Sequence, residues 1–322
     1  MQLDVAGADD LRSLSDDGWR ARIAQIAAAA GSFVQLGDHH FAMLTRRSET
    51  LLVTFESIST ARRHVPGQLP LAYRLAEERG WSSLSLIADR DTWFRDRDVF
   101  AYFDNLVDDA FFEDFDRVVF FGAGMAGYAA GAFSVTAPGA TVVLCQPQAT
   151  LDPVLTSWDP RFSNDRRIDF TDRYGYAPDM TEGAGEVYVI YDPDQSLDAM
   201  HAALFHRPWT TLLPCPHLGR DVAGALEGMR VLPSVLAAAG SGAFDARMFR
   251  TFYRMRRNHP PYLRGLMAKL DTDGRPLLNA ILCRNVVQRL NAPKFRARLA
   301  ELTDQLARAG VAIPETRVGF SS

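Results

Sequence analysis

A chain of 322 residues is long for one core and short for two, so the length favours a main domain with an appended element. Its composition, 47% hydrophobic and 23% charged, is that of an ordinary globular protein. No apolar run approaches the roughly 18 residues of a membrane span, and the start MQLDVAGADD is acidic without an apolar core. The expectation is a soluble, cytoplasmic protein with no membrane span.

The net charge of −4 is unevenly spread: residues 1–240 carry −13 and residues 241–322 carry +9. The sign changes at Gly240-Ser241-Gly242, a linker-like tripeptide that divides the chain into domains 1–240 and 241–322. Cys145, Cys215 and Cys283 are widely separated, with no C-x-x-C and no histidine at metal spacing, and read as reduced cytosolic thiols.

Taken in chain order, residues 1–30 read as an N-terminal amphipathic helix stopped by Gly31. Phe33–Leu36 and Phe41–Thr45 form a predicted hairpin around Gly37-Asp38-His39, followed by an apolar strand at Leu51–Phe55. A helix is expected over Leu69–Arg79, closed by Gly80, then a strand over Ser83–Ala88. Val99, Phe103, Leu106 and Ala110 mark the buried face of a further helix. Strands follow at Val118–Phe121 and Thr141–Cys145, with a small-residue helix between them. Residues 147–182, rich in Pro, Asp, Arg and aromatics without a period, read as an irregular excursion. Strand Val187–Tyr191, a helix over Ser196–Phe205 and strand Thr210–Leu213 come next. From Arg220 the pattern is helical, broken at Gly240–Gly242, Pro260-Pro261, Asp271–Gly274 and Pro293. Short apolar strands alternating with helices predict an α/β fold, a mostly parallel sheet with helices on both faces, plus a C-terminal helical extension.

The segment Val118-Val-Phe-Phe-Gly-Ala-Gly-Met-Ala-Gly127 runs from strand through a glycine-rich turn into a helix. It suits a nucleophile elbow, in which a sharp strand-to-helix turn lifts a side chain above the sheet beside backbone N–H donors. Gly122, Ala126 and Gly127 fit the small positions and Met125 the N–H donor, but the nucleophile position holds Gly124 and carries no hydroxyl. Two meander strands, alternating β/α units and an elbow in the middle together resemble the α/β-hydrolase superfamily, over roughly residues 33–240. That resemblance implies an order of nucleophile, acid and histidine: Gly124, then Asp192 or Asp194 after strand Val187–Tyr191, then His217 after strand Thr210–Leu213. It also puts a second oxyanion donor near Phe55 or Glu56, and makes Ser57 a candidate substitute nucleophile. The bland alternatives are that Asp192-Pro193-Asp194 is a common turn, that His217 caps a helix, and that Ser57 only forms a turn.

The resemblance leads first to a protein lacking the serine nucleophile: a non-hydrolytic descendant, with no cofactor, whose cavity holds a small acyl or sugar-like ligand or serves assembly with a partner. The alternative is an active serine-independent hydrolase or lyase, with His217 as general base on an ester, thioester or related acyl substrate. Whether the chain is an enzyme stays open at this point. A third reading takes Gly122-x-Gly124-x-x-Gly127 as the dinucleotide fingerprint of an oxidoreductase; against it, the next strand ends Leu144-Cys145-Gln146-Pro147 without the acidic residue that holds a ribose.

His39 and His40 fall in the hairpin turn, His64 in a loop, and His201 and His206 five apart on a helix, so no metal site is expected. Arg247, Arg250, Arg254 and Arg257 align on one helical face and Phe244, Met248, Phe252 and Met255 on another. This basic amphipathic helix suits self-association or a protein partner, or packing against the acidic main domain; nucleic-acid binding is not expected from one such helix.

Overall fold

The computed structural model describes residues 11–63 and 67–314 and divides into two compact units, Met1–Phe252 and Tyr253–Ser322. In the first, eight strands form one sheet: β1 (Gly31–Leu36), β2 (His40–Thr45), β3 (Thr50–Ser57), β4 (Ser82–Ala88), β5 (Arg117–Ala123), β6 (Thr141–Cys145), β7 (Glu186–Tyr191) and β8 (Thr210–Pro214). Their order is β1-β2-β4-β3-β5-β6-β7-β8. β2 runs antiparallel to both β1 and β4, and every later pairing is parallel.

The hairpin expected around Gly37-Asp38-His39 forms, with Leu36 opposite His40 and Gly31 opposite Thr45. The helix Asp16–Ala30, capped by Ser15, passes straight into β1 at Gly31. A Cβ on Gly31 would lie 2.0 Å from the Leu44 carbonyl oxygen, so only glycine permits that approach.

Side chains alternate across the strands, which separates two apolar layers. Phe41, Met43 and Ile87 pack with Trp19, Ile23 and Ala27 of the N-terminal helix. Ala42, Leu84, Leu86, Val53, Phe55 and Phe120 point the other way, against Phe100 and Phe103 of helix Arg97–Asp108 and Tyr128 and Phe133 of helix Met125–Phe133. Both faces of the sheet are therefore covered, as a largely parallel sheet requires. The excursion 147–182 packs on the second layer: Tyr128 donates to the Tyr174 carbonyl at 2.6 Å, and Phe162 and Phe170 meet the Trp93 ring edge-on.

The basic amphipathic helix expected from Phe244 onward is two elements, an α-helix at Ala246–Phe252 and a 3-10 segment at Tyr253–Asn258. The division between compact units falls between them rather than at Gly240. Phe244 is buried on the sheet unit against the Tyr188 ring, and Tyr188 donates to its carbonyl at 2.9 Å. The second unit contains helices Pro260–Thr272, Pro276–Arg289 and Pro293–Arg308, each with proline in its first turn, where the missing N–H costs no helical hydrogen bond. Leu263, Ala280, Cys283, Val286, Phe295, Leu302 and Leu306 form its core. Among the described residues no single helix is long and apolar enough to cross a membrane; the bent pair Val222–Gly228 and Val231–Gly240 passes by length and composition alone, and its second helix packs on β3 and β5.

Candidate functional site

The C-terminal edge of the parallel strands is where open α/β sheets place their sites, and β5 delivers the elbow there. Gly124 sits between β5 and helix Met125–Phe133 with φ 58° and ψ −126°, a conformation that L side chains adopt only under strain. Its N–H donates to the Cys145 carbonyl at 2.9 Å, and its own carbonyl accepts from Tyr128 N at 2.9 Å. The close approach of helix to strand needs the flanking glycine, because a Cβ on Gly122 would lie 2.0 Å from the Ala126 carbonyl oxygen. Around Gly124, by contrast, there is room. Apart from its chain neighbours, the only heavy atom of the described residues within 4 Å of the point a Cβ would occupy is Gln148 Oε1, at 4.0 Å.

Two cavities, of about 440 and 410 Å³, meet at Gly124, Gln146 and Arg220. The first extends over Phe55, Glu56 and Glu227, the second over Gln148, Arg161 and Asp194. Phe55 and Glu56 are thus at the cavity wall, and both Glu56 carboxylate oxygens accept from Leu71 N at 3.1 Å. Ser57 is not a lining residue. It caps the helical turn Ile58–Ala61, its Oγ accepting from Thr60 N at 3.1 Å, so it sits as a turn former rather than as a nucleophile facing the cavity. Met125 begins the elbow helix, and its thioether accepts from Trp93 N at 3.3 Å.

Asp194 and His217 are brought together: Asp194 Oδ2 is hydrogen-bonded to His217 Nδ1. Asp192 does different work. It is fully buried, with Oδ1 accepting from Asp194 N at 2.9 Å and His217 N at 3.2 Å, and Oδ2 from Gly219 N at 2.6 Å. These bonds tie the end of β7 to the turn after β8 and hold His217 at φ 64°. His217 lines neither cavity, and none of its atoms lies within 4 Å of the Cβ point of residue 124. A serine hydroxyl sharing its proton with a ring nitrogen would hold that nitrogen about 3.5 Å from Cβ. The pair is assembled between the end of β7 and the turn after β8.

Sequence reasoning missed a polar network beside the second cavity. The Arg161 guanidinium bonds Asp159 Oδ2 at 2.7 Å and Asp198 Oδ1 at 2.6 Å. Gln146, at φ 47° just after β6, donates to Asp198 Oδ2 at 3.0 Å and accepts from Val222 N at 2.7 Å. His201 is fully buried: Ala149 N donates to its Nδ1 at 3.1 Å, so Nε2 carries the proton and donates to Asp159 Oδ2 at 3.1 Å. Burial lowers the His201 pKa to about 4, against the pull of Asp159. For Asp159, burial works to raise the pKa, and the Arg161 hydrogen bonds outweigh it and hold it below the ordinary value. The one available signal was the placement of Gln146 and Gln148 directly after a parallel strand. His64 lies outside the described residues. Among the described residues, no group of three or more His, Cys, Asp and Glu side chains is placed to hold a metal ion.

No family model matches the chain, and no curated protein matches it. Solved structures with a similar course include a carboxyl esterase of the fungus Tuber melanosporum, at 12% identity over 67% of this chain and 81% of that one, TM-score 0.41. A Pyrobaculum calidifontis esterase is 14% identical over 74% and 97%, TM-score 0.42. The capsule O-acetyltransferase of Neisseria meningitidis serogroup A is 12% identical over 61% and 91%, TM-score 0.40. These likenesses are distant, and residue roles here rest on the geometry of this chain. Its antiparallel edge hairpin, its crossed order β2-β4-β3-β5 and its sharp strand-to-helix turn at Gly124 give the protein an α/β-hydrolase-like fold.

Proposed function

We propose that this protein binds a small ligand over Gly124 and does not hydrolyse it. The observation that carries the reading is the surroundings of residue 124: no hydroxyl, an open Cβ position facing Gln148, and no His217 atom within 4 Å of that position. A Ser-His-Asp mechanism needs the imidazole to take the nucleophile's proton, and a hydrolase scaffold without that contact keeps only its cavity and its backbone donors. Fold alone assigns no reaction. What supports ligand binding is the convergence of Gln146, Gln148, Arg161 and Arg220 on two cavities that share the elbow.

The test is turnover of p-nitrophenyl esters of graded acyl length by the wild type and His217→Ala. The expected result is no turnover that depends on His217. Wild-type turnover abolished in His217→Ala would contradict the proposal and favour a serine-independent hydrolase.

A further inference from the structure

Gln148 is buried, 3% exposed, and its Nε2 donates to the Gln146 carbonyl at 3.3 Å. That bond fixes the amide orientation and turns Oε1 toward Gly124, where it has no hydrogen-bond partner among the described residues. A buried acceptor without a donor carries a cost that a partner from outside the protein's own groups relieves. The donor it lacks is an O–H or N–H supplied from the second cavity, which Gln148 lines with Gly124.

Asp194 and Asp198 line the second cavity with the two arginines, Asp194 bonded to His217, so the charge of the ligand follows from the one charged group there without an ion pair among the described residues. Arg161 is committed to Asp159 and Asp198. Arg220 borders both cavities, and its guanidinium has no ion pair among the described residues. Its backbone is fixed, since Gln146 Nε2 donates to its carbonyl at 2.6 Å. The nine-residue helix that begins at Met125 also turns its first N–H groups and the positive end of its dipole toward Gly124. An ammonium donor would be repelled by Arg220 and the helix dipole, whereas a hydroxyl is not.

We propose that the ligand is a small hydroxycarboxylate, its carboxylate on Arg220 and its hydroxyl donating to Gln148 Oε1. The assignment rests on the ligand-binding reading of the site and specifies its ligand class.

The experiment is ligand-observed NMR titration of the full chain with hexanoate, the hydroxyhexanoates from 2- to 6-hydroxy, and hexane-1,2-diol. The wild type is compared with Gln148→Leu, the closer isostere Gln148→Met, and Arg220→Gln, with folding of each checked by thermal melting. At least one hydroxyhexanoate should bind about tenfold more tightly than hexanoate, the gain of one good hydrogen bond to a buried acceptor. Both Gln148 variants should erase that gain, bringing the hydroxyhexanoates level with hexanoate in the same variant. Arg220→Gln should weaken all the acids about tenfold and leave the diol unchanged. Equal binding of hexanoate and every hydroxyhexanoate overturns the Gln148 assignment, and absence of binding by every acid overturns the proposal outright. Diol binding as tight as the acids overturns the carboxylate assignment while leaving a ligand site at Gly124. Turnover of hydroxyhexanoate esters by the wild type, measured separately, would instead overturn the non-hydrolytic reading.

Discussion

Gln148 Oε1 faces the position that a side chain on Gly124 would occupy, at 4.0 Å from its Cβ point, while His217 stands farther off with its Nδ1 on Asp194. The elbow thus addresses an amide acceptor, not a base.

The two aspartates after β7 should separate cleanly by mutation. Asp192→Ala removes the acceptor for three backbone N–H groups in a buried place, and a loss of about 3 kcal/mol in urea denaturation is expected. Asp194→Asn, at a partly exposed pair, should cost under about 1 kcal/mol. Equal costs would contradict the division between a structural and an orienting carboxylate.

The elbow glycines differ in kind. Gly124→Ala places a Cβ in open space at positive φ, so a penalty of about 1–2 kcal/mol is expected. Gly122→Ala drives a Cβ into the Ala126 carbonyl and should cost at least about twice as much, or prevent folding. Thermal melts of the two variants decide it, and a milder effect at Gly122 would show that helix and strand do not pack as described.

The buried His201 makes stability depend on pH. Its folded pKa, about 4, lies below the ordinary 6.5, so the unfolded state takes up its proton first as pH falls. The stability it contributes is full above pH 6.5 and declines from there toward pH 4, by roughly 3 kcal/mol at most. Asp159, also held low, keeps its contribution above the ordinary 3.8 and loses it as pH falls from there through its folded pKa. Urea midpoints between pH 8 and 4 should therefore fall less steeply in His201→Gln than in the wild type. Identical slopes would contradict the assignment.

Cys145, Cys215 and Cys283 are all fully buried. Burial raises the Cys145 pKa and pushes that of Cys283 up to about 11, disfavouring the reactive thiolate. Native protein at pH 8 should react with a thiol reagent far more slowly than denatured protein, whose three thiols should label at once. Rapid native labelling of any of them would show that its surroundings open readily.

Much of the frame is written in local pattern. The hairpin at Gly37-Asp38-His39, the strands flanking the elbow and the proline-led C-terminal helices follow from period, turn residues and caps. The insertion of β4 between β2 and β3 does not, because pairing is a long-range choice among similar apolar strands. The same limit applies at the site. The pairing of His217 with Asp194 instead of Asp192 depends on where two neighbouring carboxylates point at a strand end. The network of Asp159, Arg161, Asp198 and His201 joins the aperiodic excursion to a helix, and no short spacing announces it. Gln148 was hidden for another reason: its significance lies in an unpaired atom, which only the folded surroundings reveal.

The most direct measurement is ester turnover and acyl-enzyme burst in Gly124→Ser, with Gly124→Ser/His217→Ala as its control. The restored hydroxyl should meet Gln148 and stay beyond the reach of His217, so the two proteins should be equally inert. A burst in Gly124→Ser that disappears in the double variant would contradict the account, because it would mean that elbow, His217 and Asp194 still form one catalytic site.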